Sequence, residues 1–243
     1  MIFGARLGRP AAAEIRDPDR DRAFAAVRER YRARDAALGR ALFSAADWAR
    51  TRIAFDLLEG ARSIVDVGIG QGQLVNLLLA CPETERVCGV DFQRHSKLIE
   101  PEDPRFSFRR WNVTEPADPP LEPADVAVAM EILEHVEVEA LADALARIRA
   151  LSRSGTVLVS VPWREHPPLY HHDRPHGHKQ SFDDAAIARI FGPALVSTHA
   201  ERWYLLLLSE HVEAHRLLAP DAFRTACRAI VRRAVADPDR RIP

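Results

Sequence analysis

Residues 63–76 read Ser63-Ile64-Val65-Asp66-Val67-Gly68-Ile69-Gly70-Gln71-Gly72-Gln73-Leu74-Val75-Asn76. A β-branched apolar run carries an acid, three alternating glycines follow, and a helical pattern begins. β-branched residues suit a pleated surface, so a strand is predicted over 63–67. Glycine at 68, 70 and 72 lets the backbone turn sharply and approach a ligand closely. A helix predicted over 72–80 presents the N–H groups of its first turn to the same place. Strand, glycine turn and helix in this order make a loop that receives a nucleotide-like ligand.

The same alternation continues outward. Strands are predicted over 86–91, 105–111, 124–130 and 155–161, with another from about 194. Helices are predicted over 137–151 and about 182–191, and Pro82 and Pro162 punctuate the pattern. Strands alternating with helices imply an α/β fold with an open, mostly parallel sheet, helices on both faces and ligands at the carboxyl ends of the strands. Before the first strand, residues 20–58 read as helix, so residues 1–58 are expected to be a loose tail and a helical cap. Residues 59–204 form the expected cofactor-binding core. Residues 205–243 are expected to be a helical extension, although Tyr204-Leu205-Leu206-Leu207-Leu208 reads equally as strand or helix.

Composition excludes several classes. The chain has 243 residues, 47% hydrophobic and 28% charged, which fits a globular protein with a sizeable core. A net charge of −1 provides no global field to attract nucleic acid or membrane. Cys81, Cys88 and Cys227 are odd in number and form no CxxC, which points to reduced thiols and a cytoplasmic location. No apolar run reaches the ~20 residues of a membrane span. The N-terminus carries no signal-peptide pattern. Abundant arginine and alanine, with Lys97 and Lys179 the only lysines, fit a bacterial genome rich in G and C. The sequence carries no visible mark of oligomeric state.

Asp91 ends the second strand, 19 residues after Gly72. An acid there accepts two hydrogen bonds from a ribose diol, which suits NAD as well as other ribose cofactors. The glycine spacing discriminates between them. Dinucleotide loops use G-x-G-x-x-G, whereas this chain has D-x-G-x-G-x-G. Asp66 precedes the glycines, where it would repel a pyrophosphate. S-adenosylmethionine (SAM) carries an ammonium and a sulfonium and no phosphate, so it tolerates the acid.

Over about residues 60–200 the chain resembles the class I SAM-dependent methyltransferases, whose core is a Rossmann-like sheet. Asp66, Gly68, Gly70 and Gly72 match the family's first motif, which wraps the amino-acid and ribose part of SAM. The resemblance implies that Asp91 grips the ribose hydroxyls, with Phe92 beside the adenine. Asn112 and Val113 match the position that contacts the adenine amine. Asn112 departs from the usual Asp there, but an amide carbonyl also accepts a hydrogen bond. Glu131 matches the family's motif at the methyl-transfer face.

A second constellation, Met130-Glu131-Ile132-Leu133-Glu134-His135-Val136, follows the fourth strand. If helical, residues 131, 134 and 135 share one face. Two carboxylates and an imidazole there can hold a divalent ion. After the fifth strand come His166, His171, His172, His176 and His178. The pairing resembles the ubiquinone-pathway O-methyltransferases and the small-RNA 3′-terminal 2′-O-methyltransferases, both with an E-x-x-E-H element. That resemblance implies Glu131, Glu134, His135 and His178 as ligands of Mg²⁺ or Mn²⁺, with His176 the next choice. The alternative is a metal-free site in which His135 or His178 is the general base. Trp163, Tyr170, Trp203 and Tyr204 are candidates for the acceptor wall, with Trp203 read as core packing. Arg109, Arg110, Arg232, Arg233, Arg240 and Arg241 are too scattered to make an RNA groove.

The implied function is SAM-dependent O-methylation of a small-molecule or sugar-type hydroxyl, with Glu131, His135 and His178 at the chemistry. RNA 2′-O-methylation and a SAM-binding regulatory protein without catalysis are the alternatives. The pI near 6.8 counts against RNA.

Overall fold

The computed structural model describes residues 17–39, 44–94, 101–115, 121–163, 177–193, 195–200, 203–209 and 212–236. The chain divides into two units, residues 1–42 and residues 43–243. In the first, α1 (Pro18–Ala37) starts at Asp17, whose carboxylate accepts from Asp19 N, and at a proline in the first turn. The second unit opens with α2 (Ala45–Leu57). Ser44 and Asp47 form a reciprocal capping box there, so this helix starts where its sequence demands. The helical stretch read over 20–58 is therefore two helices, and α2 belongs to the unit that carries the sheet.

The rest of that unit alternates strand and helix: β1 (Ser63–Val67), α3 (Gln73–Leu79), β2 (Arg86–Asp91), β3 (Phe106–Arg110) and β4 (Val126–Met130). A single 3₁₀ turn (Leu133–His135) precedes α4 (Val138–Ala150). Then come β5 (Val157–Pro162), α5 (Asp184–Phe191), β6 (Leu195–Ala200), β7 (Trp203–Leu208), β8 (Arg216–Leu217) and α6 (Pro220–Ala236). The eight strands form one sheet in the order β3-β2-β1-β4-β5-β7-β6-β8. Strands β1 to β5 pair in parallel, and β7 runs antiparallel to both β5 and β6.

Every residue of β1 and β5 is buried, as expected of parallel strands covered on both faces. Side chains alternate across the sheet. Val65, Val67, Ala127, Ala129, Val157 and Val159 join one core with Leu141 and Ile148 of α4 and Ile187 and Phe191 of α5. Their neighbours, among them Ile64, Val126 and Leu158, face the other side, where α3 packs on β2, α6 packs on β6, and α2 touches both helices.

The helix expected from residue 205 is not found. Leu205 to Leu208 continue β7 and pair with both β5 and β6. Four consecutive leucines carry no period, and the two flanking strands supply the partners that decide for a strand. Helix returns only at Pro220.

Cys81, Cys88 and Cys227 are buried thiols. Burial pushes the Cys88 and Cys227 thiols up, away from the reactive thiolate. Among the described residues no helix is long and apolar enough to cross a membrane.

A buried carboxylate joins the N-terminal ends of the central strands. Asp125 accepts from Arg62 N at 2.9 Å and Ser63 N at 2.8 Å and pairs with Arg153. Removing it leaves two donors and a guanidinium short of their acceptor. Asp125→Ala should therefore cost about 3 kcal/mol in urea unfolding. A loss under about 1 kcal/mol would show that water replaces it.

Candidate active site

The glycine loop is built on left-handed backbone. Gly68, Gly70 and Gly72 have φ of 75°, 54° and 82°. An L-residue in this region costs about 1–2 kcal/mol. At Gly68 space also forbids one, because a Cβ would stand 1.9 Å from Cδ1 of Ile132. Gly68 N and Ile69 N both donate to Val90 O, at 2.7 and 3.2 Å, so the loop is tied to β2. Gly70 N donates to Asp91 Oδ2 at 3.3 Å. Asp91 is thereby fixed at the loop it is expected to serve with. Gly72 caps α3, and Asn76 Nδ2 donates to its carbonyl at 2.8 Å.

Asp66 is 4% exposed at the carboxyl end of β1. Burial, and then the negative charge of Asp91, push its carboxyl up to about 7. That rise corresponds to about 4 kcal/mol against the ionised form. A cation beside Asp66 would let it ionise.

A cleft of about 870 Å³ opens over this loop. Asp66, Gly68, Gly70, Asp91 and Phe92 line it, and so do Asn112 and Val113. Gly72 supports the loop and is not part of the lining. Phe92 is exposed beside the cleft. Asn112 differs from expectation. Its carbonyl accepts from Thr114 N at 3.1 Å and Thr114 Oγ1 at 3.0 Å, which occupies both lone pairs. An adenine amine would have to displace Thr114 or use another acceptor.

Glu131 lines the cleft on an unexpected backbone. Its φ is 57°, so no helix begins there. The predicted common face of residues 131, 134 and 135 is absent, and only the 3₁₀ turn follows. Its carboxylate accepts from Ser160 Oγ at 2.7 Å and pairs with Arg50 Nη1 at 3.4 Å. Its own N–H donates to Ser160 O at 3.0 Å. These contacts hold a residue that an open loop would release to ordinary φ.

The remaining three expected ligands do converge. One donor atom each of Glu134, His135 and His178 lies within 4.8 Å of the others, and Glu131 is not in that group. Glu134 is fully buried. The His135 and His178 rings meet edge to face at 4.8 Å. His135 Nδ1 lies 3.3 Å from Gly177 O. A carbonyl only accepts, so Nδ1 carries the proton and a neutral His135 has its lone pair on Nε2, which faces Glu134 Oε1 at 3.9 Å. His178 owes its place to its neighbours. Lys179 N donates to Glu134 O at 2.6 Å, and Gln180 Nε2 donates to Leu133 O and Val136 O. A carboxylate and two imidazoles suit a divalent first-row metal, so the donor chemistry fits one.

His166, His171, His172, His176, Tyr170, Arg240 and Arg241 lie outside the described residues. Trp163 and Tyr204, read as acceptor wall, instead sandwich His199 at 4.3 and 4.2 Å. Tyr204 OH donates to Asp184 at 2.7 Å. Trp203 is buried, as read, beneath the Arg50 guanidinium. Asp47, Arg50, Trp111 and Lys179 line the cleft without having been singled out. Lys179 had a usable signal, being one of two lysines and next to His178. Arg50 had none among its many arginine neighbours.

A family model described as a methyltransferase domain matches residues 19–221. The chain belongs to this methyltransferase-domain family, and its sheet has the class I methyltransferase fold. No curated protein matches it in sequence. Solved structures under 25% identity share the fold. An O-methyltransferase family protein from Burkholderia thailandensis is 16% identical, with 67% of this chain and 56% of that one covered and a TM-score of 0.50. This chain thus spans little more than half of that protein. The 1,6-didemethyltoxoflavin-N1-methyltransferase of the same organism, solved with S-adenosylhomocysteine, is 22% identical over 82% of this chain and 92% of that one, at 0.50. The small RNA methyltransferase HEN1 is 16% identical over 71% and 26%, at 0.53.

Asp66 makes a stability prediction. Its folded value lies above its unfolded one, so the native state holds the extra proton between about pH 4 and 7. The stability this contributes is present below pH 4 and is lost as pH rises through 7. Without cofactor, Asp66→Asn should melt about 10 °C above wild type at pH 8 and lose that advantage at pH 4. Equal melting at pH 8 would show an ordinary carboxyl.

Proposed function

We propose that this methyltransferase transfers the methyl group of SAM to a hydroxyl of a small-molecule or sugar-type acceptor, assisted by a divalent first-row metal such as Mn²⁺. The supporting observation is the meeting of Glu134, His135 and His178, of which His135 lines the cleft that the glycine loop opens. The fold accommodates many nucleophiles, so the choice of oxygen rests on this donor group rather than on likeness.

In this reading Gly68 and Gly70 bring backbone against the cofactor, with Gly72 holding the turn. Asp66 faces the ammonium end and ionises on meeting it. Asp91 accepts from the ribose diol, Phe92 covers the adenine, and Asn112 and Val113 bound the base. Glu131 stands at the methyl-transfer face. His135, with Nδ1–H committed to Gly177, is oriented to accept at Nε2, and His178 completes the group. A divalent ion held by Glu134, His135 and His178 would lower the pKa of the acceptor hydroxyl. The cleft walls contribute alignment of hydroxyl, methyl and sulfonium.

A second reading is methylation of an RNA ribose. It is favoured by the same Glu and His set, which resembles the small-RNA group, and by the fold shared with HEN1. The net charge of −1 argues for a small acceptor instead. Turnover on a 3′-terminal oligoribonucleotide against a vicinal-diol metabolite separates the two.

Asp91→Ala should weaken SAM binding by about 100-fold in calorimetry, the loss of two hydrogen bonds to a charged acceptor. An unchanged Kd would remove Asp91 from the cofactor site.

EDTA should abolish turnover and Mn²⁺ restore it. His178→Ala should cut turnover about 100-fold while SAM affinity stays within twofold of wild type. Full activity in excess EDTA would refute the metal.

A further inference from the structure

Arg50 reaches into the cleft from α2, outside the strand ends that carry the other site residues. Its guanidinium lies 3.4 Å from Glu131 Oε2 and 3.5 Å from Asp47 Oδ1, and 5.0 Å over the ring of Trp203. With 16% of its side chain exposed, it is held where charge is poorly screened. Ser160 Oγ donates to Oε1 of Glu131 at 2.7 Å, so both oxygens of that carboxylate are engaged. Glu131 itself sits at a φ of 57°, off the path of a helix that would have put it on one face with Glu134.

We propose that Arg50 is a positioning residue that holds Glu131 apart from Glu134, His135 and His178, so that the metal set of this chain has three protein ligands and Glu131 is withheld from it. This rests on the metal reading above. The E-x-x-E-H spacing alone would enlist all four residues, and the Arg50 contact is what separates them. The Ser160 hydrogen bond comes from a neutral donor. The guanidinium brings a full positive charge to Glu131, so it competes with a dication for that carboxylate. A carboxylate and two imidazoles leave open positions on an ion, which suits binding of two acceptor oxygens.

The test is Mn²⁺ affinity of the cofactor-free protein by calorimetry, checked by the loss of the free-ion EPR signal. Glu131→Gln should bind Mn²⁺ within twofold of wild type. Arg50→Gln should bind about tenfold tighter, because Glu131 is then recruited. The double variant Arg50→Gln/Glu131→Gln should return to the wild-type value, and Glu134→Gln should lose binding. A tenfold loss in Glu131→Gln would overturn the proposal, since Glu131 would already be a ligand. Unchanged affinity in Arg50→Gln, with binding lost in Glu134→Gln, would overturn it while leaving the metal reading intact. No Mn²⁺ binding by any variant would overturn both. Should circular dichroism show Arg50→Gln unfolded, the Glu131→Gln arm decides alone.

Discussion

The parallel pairing of β1 with β2 on one side and β4 on the other is the constraint from which the site follows. Parallel strands end together, so Asp66, Asp91 and Glu131 arrive at one edge of the sheet. The glycine loop must then leave β1 without blocking that edge, and it does so through left-handed backbone tied to Val90. Any side chain at Gly68 would collide with Ile132, which lies just past β4. Loop, acid and third strand are therefore interlocked before any ligand arrives.

The electrostatic consequence is a cleft short of positive charge. Asp66 is held protonated to about pH 7 because burial and Asp91 both oppose its ionisation. A cationic donor relieves both effects, whereas a pyrophosphate would aggravate them. The same acid that makes a dinucleotide a poor occupant makes SAM a good one.

At the acceptor end, charge is allotted by two long-range ties. Arg50 and Ser160 take Glu131, while the backbone of Lys179 and the side chain of Gln180 fasten the His178 segment to the 3₁₀ turn. One constellation in the sequence thus becomes two: a carboxylate paired with a cation, and a carboxylate grouped with two imidazoles. The strained backbone at Glu131 is the dividing point.

The residues alone determined the α/β alternation, the glycine loop and Asp91. These are encoded locally, in a period of two or 3.6, in glycines that adopt left-handed backbone at little cost, and in acids at strand ends. Only the tertiary structure decided the rest. It made Leu205 to Leu208 a strand, because two neighbouring strands offered hydrogen bonds to a run with no period of its own. Thr114 took the Asn112 carbonyl through an asparagine turn that the residue types permit but do not require. Glu131 pairs with Arg50, 81 positions away in the sequence, and stands apart from the group of Glu134, His135 and His178. Pattern reports which faces are apolar and which turns are possible. Which of several like charges a side chain meets depends on distances that exist only once the sheet has closed.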